Sequence, residues 1–287
     1  MYERRIQRAA LDRARDASPE LRDLLTHVAD RRADRRGAQL GVLLGPGRAA
    51  APGPAAPSDG SATQVRVLAV NVVGPTLRLI RTERPAGFDF RAGQYLKAGA
   101  AGSGRSSFSL ASAPGEAHLE LCVGLNPGGK VSPALLSLGV GDHVELVPRA
   151  KGSFVLDDSA QTHLMVATST GIGPLRSMVR DGLLRGVAGR FVVLHGASSP
   201  DRLPYLDELT ALASGDIGLD YRATVSGPGA VPRGLGTGRV DVLAAEVAAG
   251  MDPSTTTVYA CGHPGMIDAV RSSLGALGFT VRSEAFD

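Results

Sequence analysis

Two short runs of small residues in this 287-residue chain are suited to contact an anionic ligand through their backbone. The first is Gly128-Gly129-Lys130-Val131-Ser132, which runs into a predicted helix at Pro133. Backbone amides and a helix N-terminus suit an anion, although a hairpin turn that leads into a helix is the ordinary alternative. The second run, residues 168–174, reads Thr-Ser-Thr-Gly-Ile-Gly-Pro. Its small residues let a dinucleotide approach the backbone, and Pro174 suits the first turn of a helix.

Cys122 and Cys261 are the only cysteines, and they lie far apart in the sequence. A disulfide framework is therefore not expected, and a four-thiolate iron–sulfur cluster cannot be built from two thiols. Any redox cofactor is then expected to be organic or to come from a partner. We predict no metal site.

The middle and C-terminal parts of the chain differ in how apolar and polar residues are arranged along the sequence. Residues 65–157 carry six short runs in which apolar and polar residues alternate, and such runs predict the strands of a small antiparallel barrel. In residues 158–287, apolar strands alternate with helix-length stretches, which predicts a parallel sheet with covering helices. The expected fold is a two-domain α+β and α/β protein, with a six-stranded antiparallel β-barrel followed by a parallel-sheet α/β domain.

An N-terminal helical arm and a linker precede these two domains. Residues 1–43 have the apolar spacing of two short amphipathic helices, the second of which follows Ser18-Pro19-Glu20. Residues 44–64 are rich in Pro, Ala and Gly and predict a linker, so we expect the arm to be tethered rather than integral. Residues 1–48 carry 11 arginines against 7 acidic residues, whereas the remainder is nearly neutral.

The role of the arm is open between a partner-binding element, a nucleic-acid contact and a solvated helical pair. Acidic residues are interleaved with its arginines, so nucleic acid is not expected as a partner. No run approaches the roughly 20 apolar residues of a membrane span, and the N-terminal residues lack the apolar core of a secretory signal. We therefore expect no membrane span and a cytoplasmic location.

Five local signatures in residues 65–287 occur in an order that resembles plant-type ferredoxin–NADP reductases and related flavin reductases. In the predicted barrel they are residues 90–95, residues 108–112 and the Gly128–Ser132 turn. In the predicted α/β domain they are residues 163–174 and residues 258–266. The last five residues, Ser-Glu-Ala-Phe-Asp, also resemble the ending of that family. The resemblance implies a flavin-binding barrel and an NAD(P)-binding α/β domain.

For the flavin, the resemblance implies that Phe108 packs on the isoalloxazine ring and that the Ser109 hydroxyl lies near its reactive nitrogen. The family arginine that pairs with the flavin phosphate would stand at position 106, where this chain has Ser106. Arg105 lies one residue earlier, and it reaches the phosphate only if a bulge restores the strand register. The implied flavin-binding residues are Arg105, Phe108, Ser109, Leu110, Gly128, Gly129, Lys130, Val131 and Ser132.

For the nicotinamide, the resemblance implies contacts from two loops and the C-terminus. Ser169 replaces the usual first glycine of the family turn, which matters if that residue needs a positive φ. Cys261 would be a positioning contact, Glu284 would relay protons and Phe286 would cover the flavin ring. The ordinary alternatives are a buried cysteine and a frayed terminus. The implied nucleotide-binding residues are Thr168, Thr170, Gly171, Ile172, Gly173, Pro174, Cys261, Gly262 and Phe286, and the implied catalytic residues are Ser109, Cys261 and Glu284.

The implied function is that of a flavin-dependent oxidoreductase that moves electrons between NAD(P)H and a one-electron acceptor protein. A ferredoxin, an oxygenase or another iron–sulfur protein, docked through the basic arm, would be the partner. The alternative is a flavin-binding regulatory or structural subunit of a larger redox complex with little activity of its own. FAD is preferred to FMN because the Gly128–Ser132 turn resembles a pyrophosphate site. NADH is slightly preferred to NADPH because residues 224–227 lack an arginine, although Arg202 and Arg222 could substitute.

Overall fold

The computed structural model of the chain describes residues 19–36, 61–215, 217–229 and 231–286. The first predicted helix of the arm and most of the predicted linker lie outside these residues. Two six-stranded sheets carry the described fold, the first antiparallel and the second parallel. The expected two-domain class is therefore confirmed. The exact domain boundaries stay predictions, and the first strand already begins at Thr63, inside the predicted linker.

The antiparallel sheet forms the barrel, with the strand order β4-β3-β6-β1-β2-β5. Its strands are β1 (Thr63–Gly74), β2 (Leu77–Glu83), β3 (Tyr95–Gly99), β4 (Ser106–Ser109), β5 (His118–Gly124) and β6 (His143–Lys151). Leu110, directly after β4, makes an antiparallel bridge to Leu121 of β5, which brings the two edge strands together and closes the barrel. The alternation predicted from sequence places side chains such as Val65 and Val67 in the barrel core.

A short helix, α2 (Val131–Leu136), connects β5 to β6. Its Leu135 is fully buried in the barrel core, so the helix is fixed to the barrel by packing. The N-terminal end of α2 carries the Gly128–Ser132 turn that the sequence singles out. The barrel therefore determines where this turn lies.

The parallel sheet has the order β10-β9-β8-β7-β11-β12. Its strands are β7 (Thr162–Thr168), β8 (Arg190–Ala197), β9 (Leu219–Val225), β10 (Gly236–Thr237), β11 (Thr256–Gly262) and β12 (Thr280–Ala285). The helices are α3 (Ile172–Arg185), α4 (Leu206–Ala213), α5 (Val240–Ala248) and α6 (Pro264–Ala276). Central strands such as β11 are buried on both faces, which explains their continuous apolar sequence.

The first helix of the described chain, α1 (Pro19–Arg36), lies on the α/β domain. Leu21, Leu24 and Val28 are at most 6% exposed and belong to the same apolar cluster as residues of α3 and α4. The spacing of these residues predicted the helix correctly. The expectation of a tethered arm is wrong for Pro19–Val28, because this stretch buries one apolar face on the domain core.

A buried ion-pair network joins the barrel to the α/β domain. Arg176 and Arg180 lie one turn apart on α3, and both pair with Glu208 of α4, at 2.9 Å each. On the barrel side, Arg176 also pairs with Glu120 at 3.4 Å and Arg180 pairs with Glu116 at 2.5 Å. We call these five side chains the interdomain network. Each guanidinium group thus contacts carboxylates from both domains.

The charges of the interdomain network compensate one another. Burial alone would raise the pKa of Glu120, but Arg176 and Arg81 beside it lower that pKa below its ordinary value. Ser177 adds a hydrogen bond between the domains, because its hydroxyl donates to the carbonyl of Ser112 at 2.6 Å. The relative placement of barrel and α/β domain therefore rests on directional polar contacts as well as on apolar packing.

Among the helices of the described ranges, none combines the length and apolar character that crossing a membrane requires.

Candidate functional site

A cleft of about 1090 Å³ runs between the barrel and the α/β domain. Both runs of small residues, the end of β4, the loop after β11 and the C-terminal residues line it. The predicted site residues that line the cleft are Phe108, Ser109, Gly129, Lys130, Val131, Ser132, Thr168, Thr170, Gly173, Gly262, Glu284 and Phe286. Segments that are distant in sequence thus meet in one cavity, which is larger than a typical pocket for one small molecule.

Ser109 and Glu284 connect the barrel to the C-terminal strand across the cleft. The Ser109 hydroxyl donates a hydrogen bond to Oε1 of Glu284 at 3.0 Å. Burial raises the pKa of Glu284, and the hydrogen bond from Ser109 opposes this effect only in part. A carboxyl group with a raised pKa takes up a proton more readily near neutral pH, so the pair can exchange a proton with a ligand in the cleft.

Residues Thr280–Ala285 form a paired strand rather than a frayed end, because β12 pairs with β11 along its length. This pairing places Glu284 directly opposite Cys261. The Phe286 amide donates to the carbonyl of Gly262 at 3.2 Å, and the Phe286 ring packs against the apolar core at the edge of the cleft. Burial raises the pKa of the Cys261 thiol, and Glu284 raises it further. Cys261 is thus a neutral thiol, which does not suit a nucleophile.

Backbone segments after β7 and β11 touch closely at the centre of the cleft. A Cβ on Gly171 would collide with the carbonyl of Cys261, and a Cβ on Gly262 would collide with Oγ1 of Thr168. The backbone of His263 donates to that same Thr168 oxygen at 2.8 Å. Gly171 and Gly262 are therefore required by close packing of the two loops. Helix α3 begins at Ile172, with no acidic residue in its first turn, so its N-terminal end suits an anion.

The turn before α2 is organised by Asn126. The amides of Gly128 and Gly129 donate to the side chain and to the carbonyl of Asn126, at 3.2 and 3.0 Å. The backbone amide of Asn126 in turn donates to the Ser132 hydroxyl at 2.8 Å. Two of the amides expected to face an anion are thus bonded inside the turn. The prediction of phosphate binding here rests on residues 130–132, which line the cleft.

The other predicted site residues do not line the cleft: Arg105, Leu110, Gly128, Gly171, Ile172, Pro174 and Cys261. Leu110, Ile172 and Cys261 are fully buried and support the residues beside them. Strand β4 pairs with β3 in a regular register, without the bulge that Arg105 would need. Arg105 instead pairs with Glu145 on the barrel surface, at 3.1 Å.

At the α/β end of the cleft, hydroxyl and guanidinium groups from three loops come together. Ser198, Arg202, Ser226 and Arg239 line this end, and Arg239 pairs with Asp241 at 3.0 Å. Arg222, which the sequence offered as an alternative cation, pairs with Asp220 at 2.9 Å and does not line the cleft. Arg239 was not among the residues considered from the sequence, because it follows a loop with no recognisable pattern.

Sequence reasoning also missed two structural supports of the site. Arg176 and Arg180 follow the second run of small residues at a spacing of four, and two arginines on one face of a buried helix are a usable signal. His195 interrupts the apolar run of β8 near its carboxyl end, where side chains of parallel sheets meet ligands.

Comparison with known proteins identifies the family. The model of the oxidoreductase NAD-binding domain matches residues 165–272. Ferredoxin–NADP reductase B of Sorangium cellulosum (strain So ce56) is 35% identical over 226 residues, which span 75% of this chain and 92% of that protein. The chain belongs to the ferredoxin–NADP reductase family. The flavodoxin/ferredoxin–NADP reductase of Escherichia coli (strain K12) is 31% identical over 191 residues, or 62% of this chain and 76% of that protein.

A solved structure of a family member has the same fold. The ferredoxin NADP+ reductase of Neisseria gonorrhoeae, crystallised with bound FAD and NADP, superposes with a TM-score of 0.70 at 24% identity. The match covers 78% of this chain and 98% of that one. Both domains of the described chain thus have their counterpart in the family fold.

Family membership makes this chain an NAD(P)H-dependent flavoprotein reductase, with FAD and a nicotinamide dinucleotide as its cofactors. The residues present fit these groups. Phe108 and Phe286 offer aromatic faces, and Ser109 offers a hydroxyl beside them. Thr170 and Gly173 line the cleft around the start of α3, whose N-terminal end suits a phosphate group.

Proposed function

We propose that the cleft places a nicotinamide dinucleotide against a flavin, and that electrons then pass singly to an iron–sulfur protein. The observation that carries this proposal is the Ser109–Glu284 hydrogen bond, which joins the barrel to the C-terminal strand inside the cleft. Bound flavin would supply the redox chemistry, because it takes up two electrons as a hydride and can release them one at a time. The chain's own residues orient the cofactors and exclude water.

Each predicted residue has a role in this proposal that fits its position. Phe108, which lines the cleft, would pack on the isoalloxazine ring, and Phe286 would cover the ring when no nicotinamide is bound. Cys261 supports the nicotinamide from below the cleft surface, as a buried neutral thiol. The Glu284 carboxyl group would take up and release a proton, while its Oε1 accepts a hydrogen bond from the Ser109 hydroxyl.

The proton role of Glu284 is tested by Glu284→Gln, which removes the titratable group but keeps the acceptor for Ser109. We expect kcat for reduction of an artificial one-electron acceptor to fall about 10²-fold, with little change in KM for the dinucleotide. The limb of the pH profile that reports this carboxyl group should also disappear. Glu246→Gln, on the exposed face of α5, is the matched control. An unchanged kcat and pH profile in Glu284→Gln would remove Glu284 from the mechanism.

The choice of dinucleotide depends on the α/β end of the cleft. The slight preference for NADH rests on the absence of an arginine from residues 224–227, and it stays a prediction. Arg202 and Arg239 support NADPH as the second candidate, because guanidinium groups bind phosphate well. The ratio of kcat/KM for NADPH and NADH decides between them. If NADPH is preferred, Arg239→Ala should lower that ratio about tenfold, roughly the effect of losing ~1.4 kcal/mol of phosphate binding.

The acceptor is proposed from the relatives, whose names specify ferredoxin or flavodoxin. Those relatives are named as reductases, which favours an enzyme over the regulatory subunit considered from the sequence. We propose that the basic arm docks the acceptor. Since α1 buries Leu21, Leu24 and Val28 on the domain core, only its remaining surface is available for docking. A truncation that begins at residue 19 should raise KM for a ferredoxin and leave KM for the dinucleotide unchanged. A cytoplasmic location stays a prediction.

A further inference from the structure

The turn that follows β7 has an unusual backbone at Ser169. Its φ is +47°, and among the described non-glycine residues only Ser169 and Tyr205 have a positive φ. This conformation is unfavourable for a residue with a Cβ, whereas glycine adopts it freely. Thr168, Ser169 and Thr170 all line the cleft, so the turn needs support that does not obstruct the ligand. Such support must come from the protein side of the turn.

His195 provides a contact on that side. It is fully buried on β8, and its Nε2 lies 3.0 Å from the carbonyl oxygen of Ser169. Its Nδ1 lies 3.0 Å from the hydroxyl of Tyr221 on β9. A carbonyl only accepts hydrogen bonds, so Nε2 must be the donor. In the neutral ring Nδ1 is then the acceptor, and the Tyr221 hydroxyl donates to it.

The neutral form of His195 suits this arrangement. Burial lowers the pKa of His195 to about 4, although the hydrogen bond to Ser169 acts in the opposite direction. The Ser169 carbonyl fixes the tautomer, and the Tyr221 hydroxyl completes the arrangement by donating to Nδ1. On the opposite side, Thr168 is held by the backbone of His263. Neighbouring strands thus hold the turn from two directions.

We propose that His195 and Tyr221 are positioning residues that keep the Thr168–Gly171 turn in the conformation that binds the dinucleotide. This inference rests on the proposed function, because it assumes that the dinucleotide binds at this turn. His195 does not line the cleft and acts only through Ser169. The contribution of His195 to dinucleotide binding should therefore depend on which residue stands at position 169.

A double-mutant cycle tests this dependence. The variants are His195→Leu, Ser169→Gly and their combination, each purified with FAD bound. The measurement is the dissociation constant of NADP+ and of NAD+ by titration calorimetry. With Ser169 present, His195→Leu should weaken binding about tenfold, which corresponds to ~1.4 kcal/mol. With glycine at 169, the same change should alter binding by no more than about twofold, because glycine needs no support in this conformation.

Three further measurements extend the cycle, and the first and third of them keep the inference testable if His195→Leu does not fold. Tyr221→Phe keeps the ring but removes the hydroxyl, and it should weaken dinucleotide binding about threefold, the effect of one neutral hydrogen bond. His195→Gln retains an amide donor and should bind more tightly than His195→Leu. Nitrogen-15 spectra of the folded wild type should show His195 protonated at Nε2 alone at neutral pH.

The outcomes separate the inference from the proposed function. If the wild type binds neither NADP+ nor NAD+, the proposed function fails and this inference fails with it. If the wild type binds but the folded variants bind equally well, only the inference is overturned. Equal effects of His195→Leu with serine and with glycine at 169, or a ring protonated at Nδ1 alone, would also overturn it.

Discussion

The two domains meet in two polar regions that differ in almost every physical respect. The cleft is open, and it is lined by polar side chains such as Ser109 and Glu284, which share one hydrogen bond. The interdomain network behind it is closed, and its Arg176 is 3% exposed and contacts two carboxylates, a carbonyl and the Tyr205 ring. The cleft keeps its polar groups available to ligands, whereas the network pairs its charged groups with one another and holds the domains together.

This difference indicates that the network fixes the orientation of the domains and that the cleft binds the ligands. Hydride transfer depends on the distance between two cofactors bound mainly by different domains, so small changes in domain orientation alter the rate. A set of buried ion pairs fixes orientation more sharply than apolar contacts, because hydrogen bonds are directional. Substitutions in the network should therefore lower stability, and substitutions in the cleft should lower activity or binding at nearly constant stability.

The largest effect is expected for Arg176→Met, which breaks the network and leaves Glu208 with Arg180, and Glu120 with Arg81, as the remaining counter-charges. The free energy of unfolding should fall by about 3–5 kcal/mol, measured by urea denaturation. Arg185→Met is the matched control, because Arg185 pairs with Asp158 and Asp181 at 2.8 Å but is 43% exposed. It should change stability by less than about 1 kcal/mol. Equal effects of the two substitutions would contradict the special role of the network.

A smaller effect is expected where the two loops of the cleft touch. Gly171→Ala would collide with the carbonyl of Cys261 and should lower stability by about 1–3 kcal/mol and weaken dinucleotide binding. In Gly173→Ala, the new Cβ would lie 3.6 Å from the side chains of Ala111 and Cys122, an ordinary contact distance. This neighbouring substitution should be nearly neutral in stability. A loss of stability in Gly173→Ala as large as that in Gly171→Ala would contradict the role given to the close contact at Gly171.

The smallest effect concerns a polar group that is buried like the network but has no partner. His163 is fully buried, stacks on Phe191 at 4.7 Å, and neither ring nitrogen has a hydrogen-bond partner in the described structure. His163→Phe keeps a ring on Phe191 and removes the unpaired nitrogens. We expect it to raise the free energy of unfolding by about 1 kcal/mol at neutral pH.

His163 also predicts a pH dependence with a definite sign. Burial lowers its pKa to about 4 from 6.5, so the unfolded chain takes up a proton first as the pH falls. Above about pH 6.5 the neutral ring makes its full contribution to the free energy of unfolding, roughly 3 kcal/mol relative to low pH. This contribution is lost as the pH falls toward 4. His163→Phe should remove this part of the loss, whereas His143→Gln on the exposed face of β6 should not. His195 has its pKa lowered to about 4 in the same direction, so part of the dependence should remain.

Most of the fold was predictable because its strands carry regular patterns. The six alternating runs of the barrel and the apolar strands of the α/β domain correspond to strands in the structure. The family motifs likewise placed Ser109 and Glu284, which are 175 residues apart in sequence and share a hydrogen bond. Such patterns survive in the sequence because periodicity and local turn chemistry require particular residue types.

The remaining features depend on contacts that no local pattern specifies. The interdomain network pairs residues of α3 with carboxylates from α4, from β5 and from the turn before β5, and only the folded chain brings them together. Arg105 was placed by analogy with a strand position, whereas its actual partner, Glu145, comes from a strand 40 residues away. The family motif has a glycine where this chain has Ser169, and this difference matters only if the residue needs a positive φ. In the structure Ser169 does have a positive φ.

The central claim is that the two domains hold a flavin in contact with a bound nicotinamide. The most direct test is the visible absorption spectrum of the purified protein in the absence of oxygen, before and after addition of NADPH or NADH. The account predicts flavin absorbance that one of the two dinucleotides bleaches. Protein that stays colourless after incubation with FAD or FMN, or flavin absorbance that neither dinucleotide bleaches, would contradict it.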